Sequence, residues 1–338
     1  MRYVSGSIHN GDSFFQGYVC IDNNVIVEVS EGRPPEKPFA TGTIVRGLVN
    51  CHTHAGDAGL KVNAGMTLEE LVAPPNGLKH RYLAEAGSDI VRPMAEYVKK
   101  MYSFGTTGFA DFREGGTEGA KMLRSVSGDA VILGRPLHEH DGNELDDLLK
   151  VADGIGISSI TDVSVSTAEN IAEHVHRENK TLALHVSERI REDIDLILSL
   201  EPDFVVHMTQ ASDKDMRKCA DSDVPVVVCP RSNMYFGMIP PVRRLLGAGV
   251  KVALGTDNAM LCDPDLRKEA AAIKEMTGGE EDTLKILLNN GRELLYEGSG
   301  IGVRTGMSDI CVFPSSGKGA LQDILGSAGR DVLNIIGK

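Results

Sequence analysis

Gly47-Leu48-Val49-Asn50-Cys51-His52-Thr53-His54 is an apolar run that ends in two histidines one residue apart. In a β-strand the side chains at i and i+2 share a face, so this spacing aims the imidazoles of His52 and His54 at one point. Three later segments follow the same design: Thr181-Leu182-Ala183-Leu184-His185, Phe204-Val205-Val206-His207, and Val250-Lys251-Val252-Ala253-Leu254-Gly255-Thr256-Asp257. Metal-competent or acid/base side chains at the ends of several strands describe an active site centred on a metal.

The same runs set the fold class. From Ala130 to Asp257 short apolar runs alternate with helix-like segments. They recur about every 20 to 25 residues, the length of one βα unit. Runs at Leu48 and at Thr107-Gly108-Phe109-Ala110-Asp111 bring the count to eight. The expectation is an α/β chain with a closed (β/α)8 TIM-like barrel over residues 47–297. Residues 1–46 read as β-rich, with Gly17–Ile21 and Val25–Val29 joined by a polar Asp22-Asn23-Asn24 turn. The C-terminal stretch 298–338 is β-like again at Asp309–Phe313 and Val332–Ile336. The two ends are expected to pair into a small β domain. The long gap from Ala55 to Gly105, broken by Ala73-Pro74-Pro75-Asn76-Gly77, is either a lid over the catalytic face or an extra helical layer.

Composition narrows the function. The chain has 338 residues, 41% hydrophobic and 25% charged, with a net charge of −13. Its Lys and Arg are scattered, which disfavours nucleic acid or an anionic membrane surface as a partner. No apolar run approaches the ~18 residues of a membrane span, and the N-terminus lacks an apolar signal core. The six cysteines form no CxxC pair and read as reduced thiols of a cytoplasmic protein. An HxE at His176-Arg177-Glu178 has no PCxxC after it, which excludes the zinc enzymes built on that pair of motifs.

Taken in order, the motifs carry a resemblance. The His52-Thr53-His54 segment, Gly105-Thr106-Thr107-Gly108-Phe109-Ala110-Asp111, His185-Val186-Ser187-Glu188, Val206-His207, Pro230-Arg231-Ser232-Asn233 and Leu254-Gly255-Thr256-Asp257-Asn258 resemble the amidohydrolase superfamily. The likeness is to its branch of cytosine, guanine and methylthioadenosine/S-adenosylhomocysteine deaminases. A lone HxH is weak evidence. HxH, HxxE, His and a Gly-Thr-Asp strand end at barrel spacing is a specific combination.

The resemblance implies a set of roles. His52, His54, His185 and Asp257 are the expected ligands of one divalent metal, zinc or iron(II). The fourth run, Gly154 to Ile160, contains no lysine that could be carbamylated to bridge a second metal. Bound zinc lowers the pKa of water to about 7, so hydroxide is available to attack at neutral pH. In the family pattern Asp257 takes the water proton, His207 orients the water and Glu188 protonates a ring nitrogen. Arg113, Asn233 and His138 are expected to face substrate. Arg113 equally suits pairing with Asp111, Glu114 or Glu139, and His138, in a second HxH with His140, equally suits a loop role. The implied function is an aminohydrolase releasing ammonia from a purine, pyrimidine or related heterocycle. The alternatives are a hydrolase of cyclic amides or other C–N or C–X bonds at the same site, and a non-catalytic barrel paralogue. A small-molecule heterocycle is the expected partner, and assembly into a homo-oligomer is compatible with this reading.

Overall fold

Strands form where the β-branched and apolar runs lie. In the computed structural model, which describes all residues except 64, 73–75, 139–141, 297, 299 and 337–338, they fall into two sheets. In chain order they are β1 Arg2–His9, β2 Phe14–Asp22, β3 Val25–Glu31, β4 Ala40–Arg46, β5 Leu48–His54, β6 Thr106–Arg113, β7 Ala130–Gly134 and β8 Gly154–Ile157. They continue as β9 Thr181–Val186, β10 Phe204–His207, β11 Val226–Val228, β12 Val252–Leu254, β13 Asp257–Asn258, β14 Asp309–Phe313 and β15 Leu333–Ile336. The chain separates into two compact units.

The first unit comprises residues 1–49, 99–108 and 265–338. Its six-stranded sheet has the order β15-β14-β4-β1-β2-β3. β14 runs antiparallel to β4 with Ile310 opposite Arg46, so strands from the two ends of the chain share one sheet. The β2–β3 turn places Asn23 and Asn24 at φ 48° and 62°, the left-handed pair that a two-residue hairpin of this hand requires. Val4, Ile8, Val19, Ile26, Ile44, Ile310 and Val312 form its core. Helix Leu266–Thr277 lies in this unit, followed by a helical stretch whose middle turn, Ile286–Asn290, is a π-helix.

The second unit comprises residues 50–98 and 109–264. Its strands belong to a nine-stranded sheet in the order β12-β11-β10-β9-β8-β7-β6-β5-β13. β12 and β13, at opposite ends of that order, are separated only by Gly255 and Thr256. Gly255 N–H donates to Val228 O and Thr256 N–H to His52 O, so one run of chain connects the two ends of the sheet. Asn50 and Thr256 hold the same junction with two side-chain bonds, Nδ2 to Oγ1 at 2.8 Å and Thr256 N–H to Oδ1 at 3.1 Å. β8, β10, β11 and β12 are buried at every position, as strands covered on both faces must be. This curled parallel sheet with its helices is TIM-like.

The intervening helices show the expected one-sided burial. Val165–Arg177 buries Ala168, Ile171, Ala172 and Val175 at i, i+3, i+4 and i+7, and Ser164 caps it by accepting from Thr167 N–H. In the Ala55–Gly105 stretch the structure forms helices Leu68–Val72, Leu78–Ala86 and Val91–Ser103. The breaker residues Ala73, Pro74 and Pro75 lie outside the described residues. Among the described residues, no helix is long and apolar enough to cross a membrane.

Candidate metal centre

The strand-end side chains converge. His52 and His54, on one face of β5, have ring centroids 4.9 Å apart. The His185 ring, from β9, stands 4.8 Å from that of His52, and the His207 ring, from β10, stands 5.6 Å from it. Asp257, at the start of β13, brings Oδ1 to 3.2 Å from His52 Nε2 and 3.6 Å from His54 Nε2. Three overlapping triads, His52–His185–His207, His52–His54–Asp257 and Glu188–His207–Asp257, each bring their ligand atoms within 4.8 Å of one another.

The rings are fixed from behind. His54 Nδ1 donates to Phe112 O at 3.0 Å and His185 Nδ1 to Ile157 O at 3.1 Å. A proton held at Nδ1 leaves the Nε2 lone pair of each ring facing the centre, the tautomer a metal ligand needs. Asp257 is held in turn, Oδ2 accepting from Ser232 Oγ at 2.5 Å and Oδ1 from Asn258 Nδ2 at 2.9 Å. The backbone is strained at the same rim. Ser187, His207, Met208 and Asp257 have φ of 49°, 77°, 58° and 61°. Such left-handed residues cost of order 1–3 kcal/mol each and persist where surrounding structure enforces them.

Electrostatics suit a cation. Burial pushes His52 down to about 4, and burial also lowers His185 and His207, so these imidazoles are neutral at pH 7. Burial opposes the charge on Asp257 too, but its contacts with His52, His207 and His54 hold it well below the usual carboxylate range. Burial and Lys79 oppose the charge on His54, while Glu114 and Asp257 beside it raise it above the ordinary value. Imidazole nitrogens and an ionised carboxylate around one point are donors that suit a divalent cation.

Glu188 lies just beyond β9 and faces this cluster. Its Oε1 is 3.6 Å from His207 Nε2 and accepts from Asn233 Nδ2 at 3.4 Å. Burial, then the charge of Asp257, raises its carboxyl to about 8. The same Nδ2 of Asn233 lies 3.2 Å from His207 Nδ1. His54, His185, Glu188, His207 and Asp257 line a single pocket.

Two of the expected substrate residues are placed elsewhere. Arg113 is fully buried, with Nη2 on Glu114 Oε2 at 2.9 Å and Nη1 3.7 Å from Asp111 Oδ1. Its guanidinium packs so tightly on Gly56 that a Cβ there would fall 1.9 Å from Nη1. The pairing with acidic neighbours is the arrangement found, while Glu139 and His140 lie outside the described residues. His138 is exposed, with Nδ1 3.1 Å from Glu144 Oε2, and it lines a different surface hollow. Glu114, Lys79 and His80, which the sequence pattern does not mark as site residues, also line the central pocket. Burial opposes ionisation of Glu114, but Lys79, His54 and Arg113 around it hold its carboxyl well below the ordinary value.

Known proteins share this architecture. A protein of Methanothermobacter thermautotrophicus, provisionally named an aminohydrolase, is 33% identical over 290 residues, covering 77% of this chain and 76% of its own. The 5-methylthioadenosine/S-adenosylhomocysteine deaminase of Caldicellulosiruptor saccharolyticus is 27% identical over 288 residues, covering 72% of this chain and 65% of its own. Among solved structures, an adenosine deaminase from Xanthomonas campestris with bound zinc superposes with a TM-score of 0.78 at 20% identity, over 99% of this chain and 92% of that one. The Amidohydrolase family profile matches residues 43–294, more than half of the sequence. The chain belongs to the amidohydrolase family.

Proposed function

We propose that this chain is a metal-dependent aminohydrolase that releases ammonia from a purine, pyrimidine or related heterocycle. The observation that carries the reading is Glu188, a buried carboxyl 3.6 Å from His207 and lining one pocket with His54, His185 and Asp257. An amine on a heteroaromatic ring leaves poorly until the neighbouring ring nitrogen is protonated and the carbon becomes tetrahedral. A carboxyl kept protonated near neutral pH by burial is the acid such a step needs.

His52, His54, His185 and Asp257 would hold one divalent cation, zinc or iron(II). Bound there, the cation would act as a Lewis acid and lower the pKa of a water molecule. Asp257 accepts the proton of the attacking water and passes it to the departing amine, which leaves as ammonia. His207, whose ring orientation is set by Asn233, orients that water. Glu188 delivers a proton to the ring nitrogen while Asn233 fixes the carboxyl and offers its amide to the edge of the base. The names of the relatives support the same class, since two are aminohydrolases or deaminases and the solved neighbour is a zinc-bound deaminase.

The test joins metal analysis to an ammonia-release screen over guanine, cytosine, adenosine and 5′-methylthioadenosine. One metal per chain and ammonia from at least one ring are expected. Ring opening without ammonia would move the reaction to cyclic-amide cleavage. Protein that holds no metal after repletion would end the reading altogether.

A further inference from the structure

Lys79 is 3% exposed, although it belongs to a helix, Leu78–Ala86, of the long segment between β5 and β6. Its Nζ meets three side-chain oxygens: Glu114 Oε1 at 2.6 Å, Asn258 Oδ1 at 3.3 Å and Asp57 Oδ2 at 3.7 Å. Two of these lead directly to the centre. Glu114 Oε1 lies 3.1 Å from His54 Nδ1, and Asn258 Nδ2 donates to Asp257 Oδ1 at 2.9 Å. The third, Asp57, sits in the turn Ala55–Asp57 that follows His54, and its Oδ1 accepts from Met260 N–H just beyond β13. One ammonium thus joins the two sides of the site that carry His54 and Asp257.

A buried ammonium costs several kcal/mol in lost hydration unless oxygens surround it. The oxygens here come from β5, β6 and β13 ends, while the nitrogen comes from the inserted helix. Seating that helix therefore completes the hydrogen bonding behind two ligands, and withdrawing it leaves Glu114 facing Arg113 and His54 alone. Partners behind a ligand set its orientation and basicity, and their loss typically costs ~10- to 100-fold in metal affinity.

We propose that Lys79 is a positioning residue that couples the seating of helix Leu78–Ala86 to the order of the metal centre. This rests on the reading that His54 and Asp257 bind the cation. The coupling is reciprocal by linkage: metal binding must favour the seated helix as much as the seated helix favours the metal.

Cobalt(II) is the probe, because its visible absorption reports ligand geometry without any substrate. The wild-type cobalt spectrum tests the site reading by itself, and Lys79→Met measured against it tests the lysine. Lys79→Met is expected to weaken cobalt and zinc binding ~10- to 100-fold, measured by chelator competition, and to alter the cobalt band. In wild-type protein, zinc is expected to slow hydrogen exchange at the Leu78–Ala86 amides, and in Lys79→Met this protection is lost. Glu114→Gln provides a second route should Lys79→Met fold poorly. It is expected to weaken the metal similarly, and the double variant is expected to be no weaker than the worse single one, because both act through one link. Folded Lys79→Met with wild-type affinity and an unchanged cobalt band would overturn the proposal. So would additive effects of the two substitutions, or helix amides indifferent to zinc in the wild type.

Discussion

Glu188 is the residue on which the chemistry and the stability of the protein pull in opposite directions. Its folded carboxyl is raised to about 8 by burial beside Asp257, against about 4.3 in an unfolded chain. Between those values folding takes up a proton, so stability falls as pH rises across the window and the loss is complete above about 8. Glu188→Gln removes that titration. Metal-free Glu188→Gln is expected to melt above metal-free wild type at pH 8, with the gap closing near pH 4; a constant gap would show that the carboxyl is not the cause. The same variant cannot deliver a proton, so kcat on an ammonia-releasing substrate is expected to fall at least ~10²-fold with metal content unchanged. Retention of more than about a tenth of wild-type kcat would remove Glu188 from the mechanism, and loss of metal would make it a ligand. At this scale the sequence was legible where a side chain closes an apolar run, as at His52, His54, His185, His207 and Asp257. Strand periodicity aims His52 and His54 together, whereas His207 and Asp257 reach the same point on left-handed backbone. Lys79 carried no such signal, because a lysine in a helical stretch reads as solvated until tertiary packing surrounds it. Arg113 occupies the strand end that suggested substrate contact, but its neighbours Asp111 and Glu114 claim its guanidinium.

Single elements were read from punctuation as much as from periodicity. All eight runs expected of the barrel appear as strands, the last divided into β12 and β13 by Gly255-Thr256. β1 and β4 were only implied by the β-rich character of residues 1–46, since Gly6 and Gly42 interrupt their apolar patterns. Helix Asp213–Asp221 shows how a cap fixes the approach from β10 and His207. Ser212 Oγ accepts from Asp215 N–H at 3.2 Å, and Asp215 Oδ2 accepts from Ser212 N–H at 2.8 Å, a reciprocal capping box. Ser212→Ala is expected to cost about 1 kcal/mol in urea unfolding, the usual value of such a cap. Asp215 is also gripped by Arg191 at 2.7 and 2.8 Å, and this bond first, then the cap, holds its carboxyl well below the ordinary range. A depressed folded value means the contribution is present above about pH 4 and lost as pH falls below it. The Arg191 side chain is 57% exposed, so solvent and salt weaken the pair. Asp215→Asn should therefore be destabilising at pH 7, with a penalty that shrinks steadily as pH falls from 4 toward 2, and a penalty independent of pH would assign the effect to shape rather than charge.

For the molecule as a whole, the proposed ligand set spans nearly all of the second unit. His52 and Asp257 are 205 residues apart in sequence yet 3.2 Å apart in space, with His185 supplied from between them. A cation that binds these side chains only in the folded state stabilises that unit by mass action, ~4 kcal/mol at free metal 1,000-fold above Kd. For a unit of roughly 200 residues this corresponds to a rise of about 10 °C in its melting temperature. The first unit has its own core, built from Val4, Ile8, Ile44, Ile310, Val312 and their neighbours, and none of the proposed ligands lies in it. Stripped protein in a scanning calorimeter should therefore show two transitions, and titration with zinc should raise one of them while leaving the other in place. His52→Ala, which removes a ligand without adding a charge, should abolish the zinc-dependent rise. A single transition that moves as a whole would show that the two units unfold together. A zinc response that survives in His52→Ala would place the cation somewhere other than at the ends of β5, β9 and β13.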